Sequence, residues 1–338
     1  MGVAAGVSDT VGRREATEVV VFFLVPDFSM IAFASAIEPL RIANRLSGKR
    51  LYDWPLVSRD GQAVRASNGV AVEVDLAMGE VAFGSGPAGG RGLPTICLAS
   101  GLHGERYADR EVFAWLRRMD RHGAVIGALC TGAHILARAG LITDHRCTIH
   151  WENLPGFVEA FPDIDVAADL YEIDRNRFTC SGGTAPLDLM LSRIAAAHGE
   201  ELATKVSEQC LLDRIRGPHD RQRMPIRMRL GVHHPKLINA IELMEANIEE
   251  PLPQEQLAHY IGLSRRQLER LFRRHMGRTP AQYYLELRLE RARHLLYQTD
   301  LPIMSIACAC GFVSASHFST CYRQMFGRTP RAERNVAA

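Results

Sequence analysis

The sequence predicts two unlike halves: an α/β domain built on a mostly parallel sheet, then an all-α domain. Three observations carry this expectation. From Glu18 to about Ile215, short apolar runs alternate with amphipathic stretches, the pattern of a parallel sheet covered by helices. From Pro235 onward no strand pattern is convincing, and helical periods follow one another. The 338 residues, 47% hydrophobic and 23% charged, are enough for two globular domains with buried cores. The expected boundaries are a disordered tail at 1–17, an α/β domain at 18–215, a linker at 216–234 and a helical domain at 235–338.

The opening "MGVAAGVSDTVGRREATE" lacks the apolar core of a signal peptide, so a cytoplasmic protein with no membrane partner is expected. "VVVFFLV", Val19–Val25, is too short to span a bilayer and reads as a buried strand. The other strand candidates are Trp54–Arg59, Val70–Val74, Thr95–Ala99, Ala124–Leu129, Arg146–His150, Leu170–Ile173 and Arg177–Cys180. Amphipathic helices fall at Met30–Leu46, Arg110–His122, Gly132–Ala139 and Pro186–His198. "RGPHDRQRMPIRMRLGVHH", Arg216–His234, has no steady apolar period and reads as the linker.

The eight cysteines contain no Cys-x-x-Cys pair, so reduced thiols are expected, with neither a metal centre nor a cofactor. "SGGTAP", from Ser181, is glycine-rich but lacks the lysine of a phosphate loop, and reads as a tight strand-to-helix turn. The net charge of +2 hides an asymmetry. From Pro235 onward there are 14 Lys/Arg against 10 Asp/Glu, and Arg214–Arg229 holds six arginines against Asp220. A basic C-terminal third fits a polyanionic partner or a solvated basic face.

An internal repeat favours the partner. "LPQEQLAHYIGLSRRQLERLFRRHMGRTP" from Leu252 is echoed by "LPIMSIACACGFVSASHFSTCYRQMFGRTP" from Leu301. Each copy has Ala-x-x-x-Gly, Ala258/Gly262 and Ala307/Gly311, where alanine admits a closely crossing helix and glycine takes the left-handed turn. Ser264 and Ser314 then cap the following helices. In the first copy Leu268, Leu271 and Phe272 form the inward stripe, and Arg266, Arg270 and Arg273 share the opposite face. Arginine can bond guanine bidentately in the major groove, so double-stranded DNA is the expected partner. Arg265 and Glu269 complete that candidate surface. The second helix offers Ala315, Ser316, Ser319 and Thr320 for close approach, with Arg323 placed for a phosphate. The first helix is therefore expected to dominate discrimination.

These motifs, over residues 235–335, resemble the AraC/XylS tandem helix-turn-helix domain. The resemblance implies a long helix, about Pro280–Tyr297, joining two readers that enter successive major grooves on one side of DNA, and RNA polymerase as a partner.

"AVIGALCTGAHILARAGL" places Cys130 between a strand and a helix, resembling the elbow of the class-I glutamine-amidotransferase-like superfamily. That implies a flavodoxin-like sheet with helices on both faces. A helix start favours a thiolate, which makes Cys130 a candidate nucleophile. Thr131 stands where some relatives of that superfamily carry histidine, and no clear base and acid complete a triad; His150 is one candidate. Three readings stay open: a ligand pocket on a retired active site, a hydrolytic enzyme such as an amidase, deglycase or glyoxalase, and a structural thiol. The first leads, so no catalytic residue is assigned.

The whole chain resembles GlxA-type AraC-family regulators. "FSMIAFASAIEPLRIANRLSGKRLYDW", "IHWEN" and "DRNRFTCSGGTAPLDLML" are most similar to regulators of glycine betaine, carnitine and sarcosine catabolism. The resemblance implies a homodimeric activator of a catabolic operon that responds to a small zwitterionic effector. A quaternary ammonium is recognised by aromatic faces and a carboxylate. The candidate effector residues are Phe28, Cys130, Thr131, His150, Trp151 and Glu152, with amides near Thr131 for the effector's carboxylate.

Overall fold

A computed structural model describes residues 17–81 and 93–337. The tail expected at 1–17 lies outside them except for Thr17, whose hydroxyl donates to the Arg50 carbonyl at 2.8 Å. The first strand, β1 (Glu18–Leu24), runs through the middle of the sheet. Val20, Phe22 and Leu24 face one core, while Val19, Val21 and Phe23 face the other. A strand buried on both faces needs apolar side chains at every position, which is why "VVVFFLV" does not alternate.

The chain continues through α1 (Met30–Ser47), β2 (Tyr52–Asp53), β3 (Leu56–Ser58), β4 (Val64–Arg65), β5 (Ala71–Val72) and β6 (Leu76–Ala77). Next come β7 (Thr95–Ala99), α2 (Arg110–Arg121), β8 (Val125–Leu129), α3 (Gly132–Arg138), β9 (Cys147–Thr148), α4 (Leu154–Ala160) and β10 (Val166–Ala167). The hairpin β11 (Tyr171–Asp174) and β12 (Arg177–Cys180) precedes α5 (Ala185–His198) and α6 (Glu200–Gln209). The main sheet has the order β11-β12-β8-β7-β1-β3-β6, with β2 also on β1, and every pairing is parallel except β11 with β12. Helices α1, α5 and α6 cover one face; α2, α3 and α4 cover the other.

Two strand expectations fail in register. Of Val70–Val74 only Ala71–Val72 is strand, and it pairs antiparallel with β4, outside the main sheet. Asn68-Gly69 is the cause: Gly69 at φ +86° closes a tight local turn, an Asn-Gly hairpin signal. Of Arg146–His150 only β9 is strand, paired with β10 in a separate ribbon, while the β11–β12 hairpin takes the edge of the main sheet.

The segment at 216–234 is tied at both ends. Arg216 clasps buried Asp188 with its amide (2.7 Å), Nε (3.0 Å) and Nη2 (2.6 Å). Gln222 Nε2 donates to the Ile149 and Asp169 carbonyls at 3.0 and 2.7 Å. At its other end α7 (Ile226–Arg229) and Val232 bury apolar side chains in the helical domain.

That domain comprises α8 (Pro235–Ala246), α9 (Gln254–Tyr260), α10 (Arg265–Met276), α11 (Pro280–Gln298), α12 (Ile303–Ala309), α13 (Ala315–Phe326) and α14 (Pro330–Ala337). It has two cores. Leu237, Ile241, Leu257, Leu268 and Phe272 form the first, and Ile306, Phe312, Phe318 and Tyr322 belong to the second. Helix α11 serves both, with Tyr283 and Tyr284 in the first and Leu289, Leu295 and Leu296 in the second. The two turns carry Gly262 at φ +63° and Gly311 at φ +73°. At Gly311 a Cβ would also stand 2.5 Å from Pro251 Cγ, so glycine is required there on two counts.

Candidate functional site

The candidate DNA-facing surface follows from local sequence. Ser264 accepts from the Gln267 amide, and Gln267 Oε1 accepts from the Ser264 amide at 2.8 Å, a capping box that starts α10 at Arg265. Leu268 and Phe272 are then buried, and Arg266, Arg270 and Arg273 stand exposed on the other side. Among the described residues none of these three arginines has an ion pair. Arg265 differs: its Nη1 reaches Glu255 at 2.8 Å and its Nε reaches Glu269 at 3.4 Å, so its charge is met within the protein. On α13, Ala315, Ser316, Thr320 and Arg323 are exposed and Ser319 is half-buried, while Phe318 and Tyr322 are core. Val313 went unnoticed in the sequence. It is 94% exposed in the turn before α13, beside Ala315.

The second site lies at the carboxyl ends of the central strands, where open α/β sheets place their ligands. Strand β8 ends at Leu129 and α3 starts at Gly132, which leaves two residues for the reversal. Cys130 takes φ +58°, a strained conformation for a residue with a Cβ. Its amide donates to the Cys180 carbonyl at 2.9 Å. Gly182 packs so closely that a Cβ there would stand 3.1 Å from the sulfur. Burial pushes the Cys130 thiol up to about 11, outweighing the backbone hydrogen bond at Thr131 that pulls it down, and Glu152 adds to the rise. Desolvation thus opposes the thiolate that the helix start would favour. Thr131 is buried, its hydroxyl donating to the Gly101 carbonyl (2.6 Å) and accepting from Ser100 (2.9 Å).

A cavity of about 290 Å³ opens beside this elbow, and among its walls are Thr131, Glu152 and Asn153 of the α/β domain. Its far wall is Tyr297 and Gln298, the end of α11. Arg106 Nη2 donates to the Tyr297 carbonyl at 3.0 Å and Gln298 Nε2 to the Glu152 carbonyl at 3.0 Å, closing the contact between domains.

Of the six expected effector residues, Thr131 and Glu152 thus line one cavity. Phe28 does not: it is 0% exposed, edge-on to Phe33 with ring centroids 5.6 Å apart, and belongs to the core. Cys130, His150 and Trp151 lie near but off the cavity wall. His150 Nδ1 is 3.9 Å from Glu152 Oε2, and burial lowers its pKa. Trp151 is half-buried with the Arg223 guanidinium 4.3 Å from its ring centroid, so a cation already covers one face. Periodicity could not reveal Tyr297, Gln298 or Arg223 as neighbours, because each contact joins segments far apart in the chain.

One cluster, Asp169, Glu172 and His219, brings its ligand atoms within 4.8 Å of one another. A cation is already there: Arg146 Nε lies 3.2 Å from Glu172 Oε1 and its Nη2 3.5 Å from Asp169 Oδ2.

A cavity in an α/β domain whose far wall belongs to a tandem helix-turn-helix domain fits a one-chain transcriptional regulator. Residues 19–196 match the DJ-1/PfpI family and residues 257–335 a helix-turn-helix domain family. The chain belongs to the AraC-family regulators that join these two domains. It is 46% identical over 313 residues to the HTH-type transcriptional regulator GbdR of Pseudomonas aeruginosa (strain UCBPP-PA14), covering 93% of this chain and 83% of that one. It is 38% identical to the regulator GlxA of Rhizobium meliloti (strain 1021), covering 91% and 93% of the two chains. Among solved structures it is similar to an AraC family transcriptional regulator from Pseudomonas putida, at 26% identity and a TM-score of 0.50, over 57% of this chain and 99% of that one. The protein is a DNA-binding transcriptional regulator. No helix among the described residues is long and apolar enough to cross a membrane.

Proposed function

We propose that the protein switches a catabolic operon on in response to a small zwitterion of the betaine, carnitine or sarcosine type, bound between its two domains. One observation carries this: the cavity beside Cys130 has α11 as a wall, so a ligand there touches the helix that holds both DNA readers. Its volume, about 290 Å³, is at the small end for ligand pockets and suits a metabolite of that size. Glu152 supplies the carboxylate for the effector's ammonium. Arg266 and Arg270 read bases, Arg273 and Arg323 meet phosphates, and Val313 and Ala315 offer methyl groups to thymine. The regulator acts in the cytoplasm as a homodimer through its α/β domain and contacts RNA polymerase.

The test is a thermal-shift screen against betaine, carnitine, sarcosine, dimethylglycine, choline and amino acids, followed by operator binding with each hit. One zwitterion is expected to raise Tm and change operator affinity, and Glu152→Gln to weaken that ligand about ten-fold. A hit whose affinity is the same in a folded Glu152→Gln protein would move the effector elsewhere.

A further inference from the structure

A larger cavity lies next to the first, of about 680 Å³, walled on one side by α3 and α4 and on the other by the end of α11 and by α14. Its chemistry differs. Arg106 and Arg138 project from the α/β domain and Arg334 from the DNA-binding domain. Arg106 is engaged by the Tyr297 carbonyl (3.0 Å) and by Glu105 (Nε–Oε1 3.9 Å), whereas Arg138 donates to Tyr107 (3.3 Å) and Arg334 to Leu301 (2.5 Å). A guanidinium has five donors, so the bonds of Arg138 and Arg334 orient these two groups without exhausting them.

Two further polar atoms on this wall are buried and find no hydrogen-bond partner among the described residues, His134 Nε2 and Arg334 Nε. His134 is 2% exposed and packs against Phe157 with ring centroids 5.0 Å apart. A buried nitrogen left unpaired is costly, so its position calls for an occupant. The acids on the wall are Glu105, which stands 3.9 Å from Arg106 Nε, and Asp300 at the exposed rim, two against three arginines. The cavity is therefore net positive, with donors converging from both domains.

We propose that this cavity is a second ligand site, which binds a small dianion carrying carboxylate or phosphate groups and clamps the DNA-binding domain onto the α/β domain. Arg138 and Arg334 take the anion from opposite sides, and His134 Nε2 supplies a neutral hydrogen bond. The site adjoins the zwitterion pocket and shares Glu105, Arg106, Tyr297 and Gln298 with it, but the residues that take the anion, His134, Arg138 and Arg334, are absent from that pocket's wall.

The experiment is calorimetric titration of the full chain with succinate and, separately, inorganic phosphate, at constant ionic strength set by chloride. At least one anion is expected to bind saturably with one site per chain. Arg138→Gln and Arg334→Gln should each weaken it about ten-fold, whereas Arg41→Gln, which removes an equal charge from exposed α1, should leave it within about two-fold. His134→Phe keeps an aromatic ring and should weaken the same anion. Binding of succinate alone assigns the site to carboxylates, and of phosphate alone to phosphoryl groups. The proposal is overturned if neither anion gives a saturable isotherm. It is equally overturned if affinity is unchanged in Arg138→Gln, whose exposed side chain can be replaced without disturbing the core.

Discussion

At the scale of single residues, environment decides the chemistry. Cys130 has the strained backbone of a nucleophile and the protonation of a core thiol, because burial raises its pKa more than a neighbouring amide lowers it. His134 shows the same force with opposite sign: burial, with Arg138 adding to it, lowers its pKa from 6.5 to about 3. A histidine depressed in the folded state contributes stability that is fully present above its unfolded pKa and is lost as pH falls toward the folded value. Unfolding free energy should thus fall by a few kcal/mol between about pH 6.5 and pH 3 on this account alone. His134→Phe removes the titration, so urea melts across that window should show a visibly shallower slope for the variant. Equal slopes would place the acid sensitivity on other groups.

At the scale of elements, the two recognition helices are unequal. Helix α10 presents Arg266, Arg270 and Arg273, exposed and without an ion pair among the described residues, and α13 presents small residues with Arg323. Arg270→Ala should therefore cost about 1–3 kcal/mol on the operator and much less on scrambled duplex. Arg323→Ala should weaken both duplexes alike and flatten the salt dependence by about one ion's worth. Equal losses on both duplexes for Arg270→Ala would reduce the arginine row to an electrostatic face. These helices were legible in the sequence because each is written locally, in a serine cap, a turn glycine and an apolar stripe. The strand leading into Cys130 was legible too, since a doubly buried strand must be continuously apolar, but the order of the strands was not. Phe28 was misplaced because an aromatic residue beside a predicted pocket reads the same whether its ring faces ligand or Phe33. The ribbon of β4 and β5 was missed because Asn68-Gly69 closes a local hairpin that periodicity cannot separate from a sheet strand.

At the scale of the whole molecule, the two halves meet where sequence could say least. Tyr297 and Gln298 end a helix whose register was expected, yet their partners Arg106 and Glu152 lie more than a hundred residues away. Arg223 on Trp151 carries the same lesson, since the guanidinium occupies the kind of place expected for an ammonium ligand. An effector cation that took this face of the indole would have to displace the 216–234 segment, which Arg216 and Gln222 otherwise hold to the α/β domain.

The shared helix α11 also sets a length. Its 19 residues make a rod of roughly 28 Å, whose two ends are built into separate cores. DNA repeats about every 34 Å, so a stiff rod of this size fixes how far apart, and on which side of the duplex, one chain can read. The operator segments read by α10 and α13 of one chain must then keep a constant spacing. Inserting five base pairs between them turns the second segment to the far side, and inserting ten restores the side but not the distance. Both insertions should abolish the contribution of the second reader in a footprint, whereas a flexible joint would tolerate the longer one.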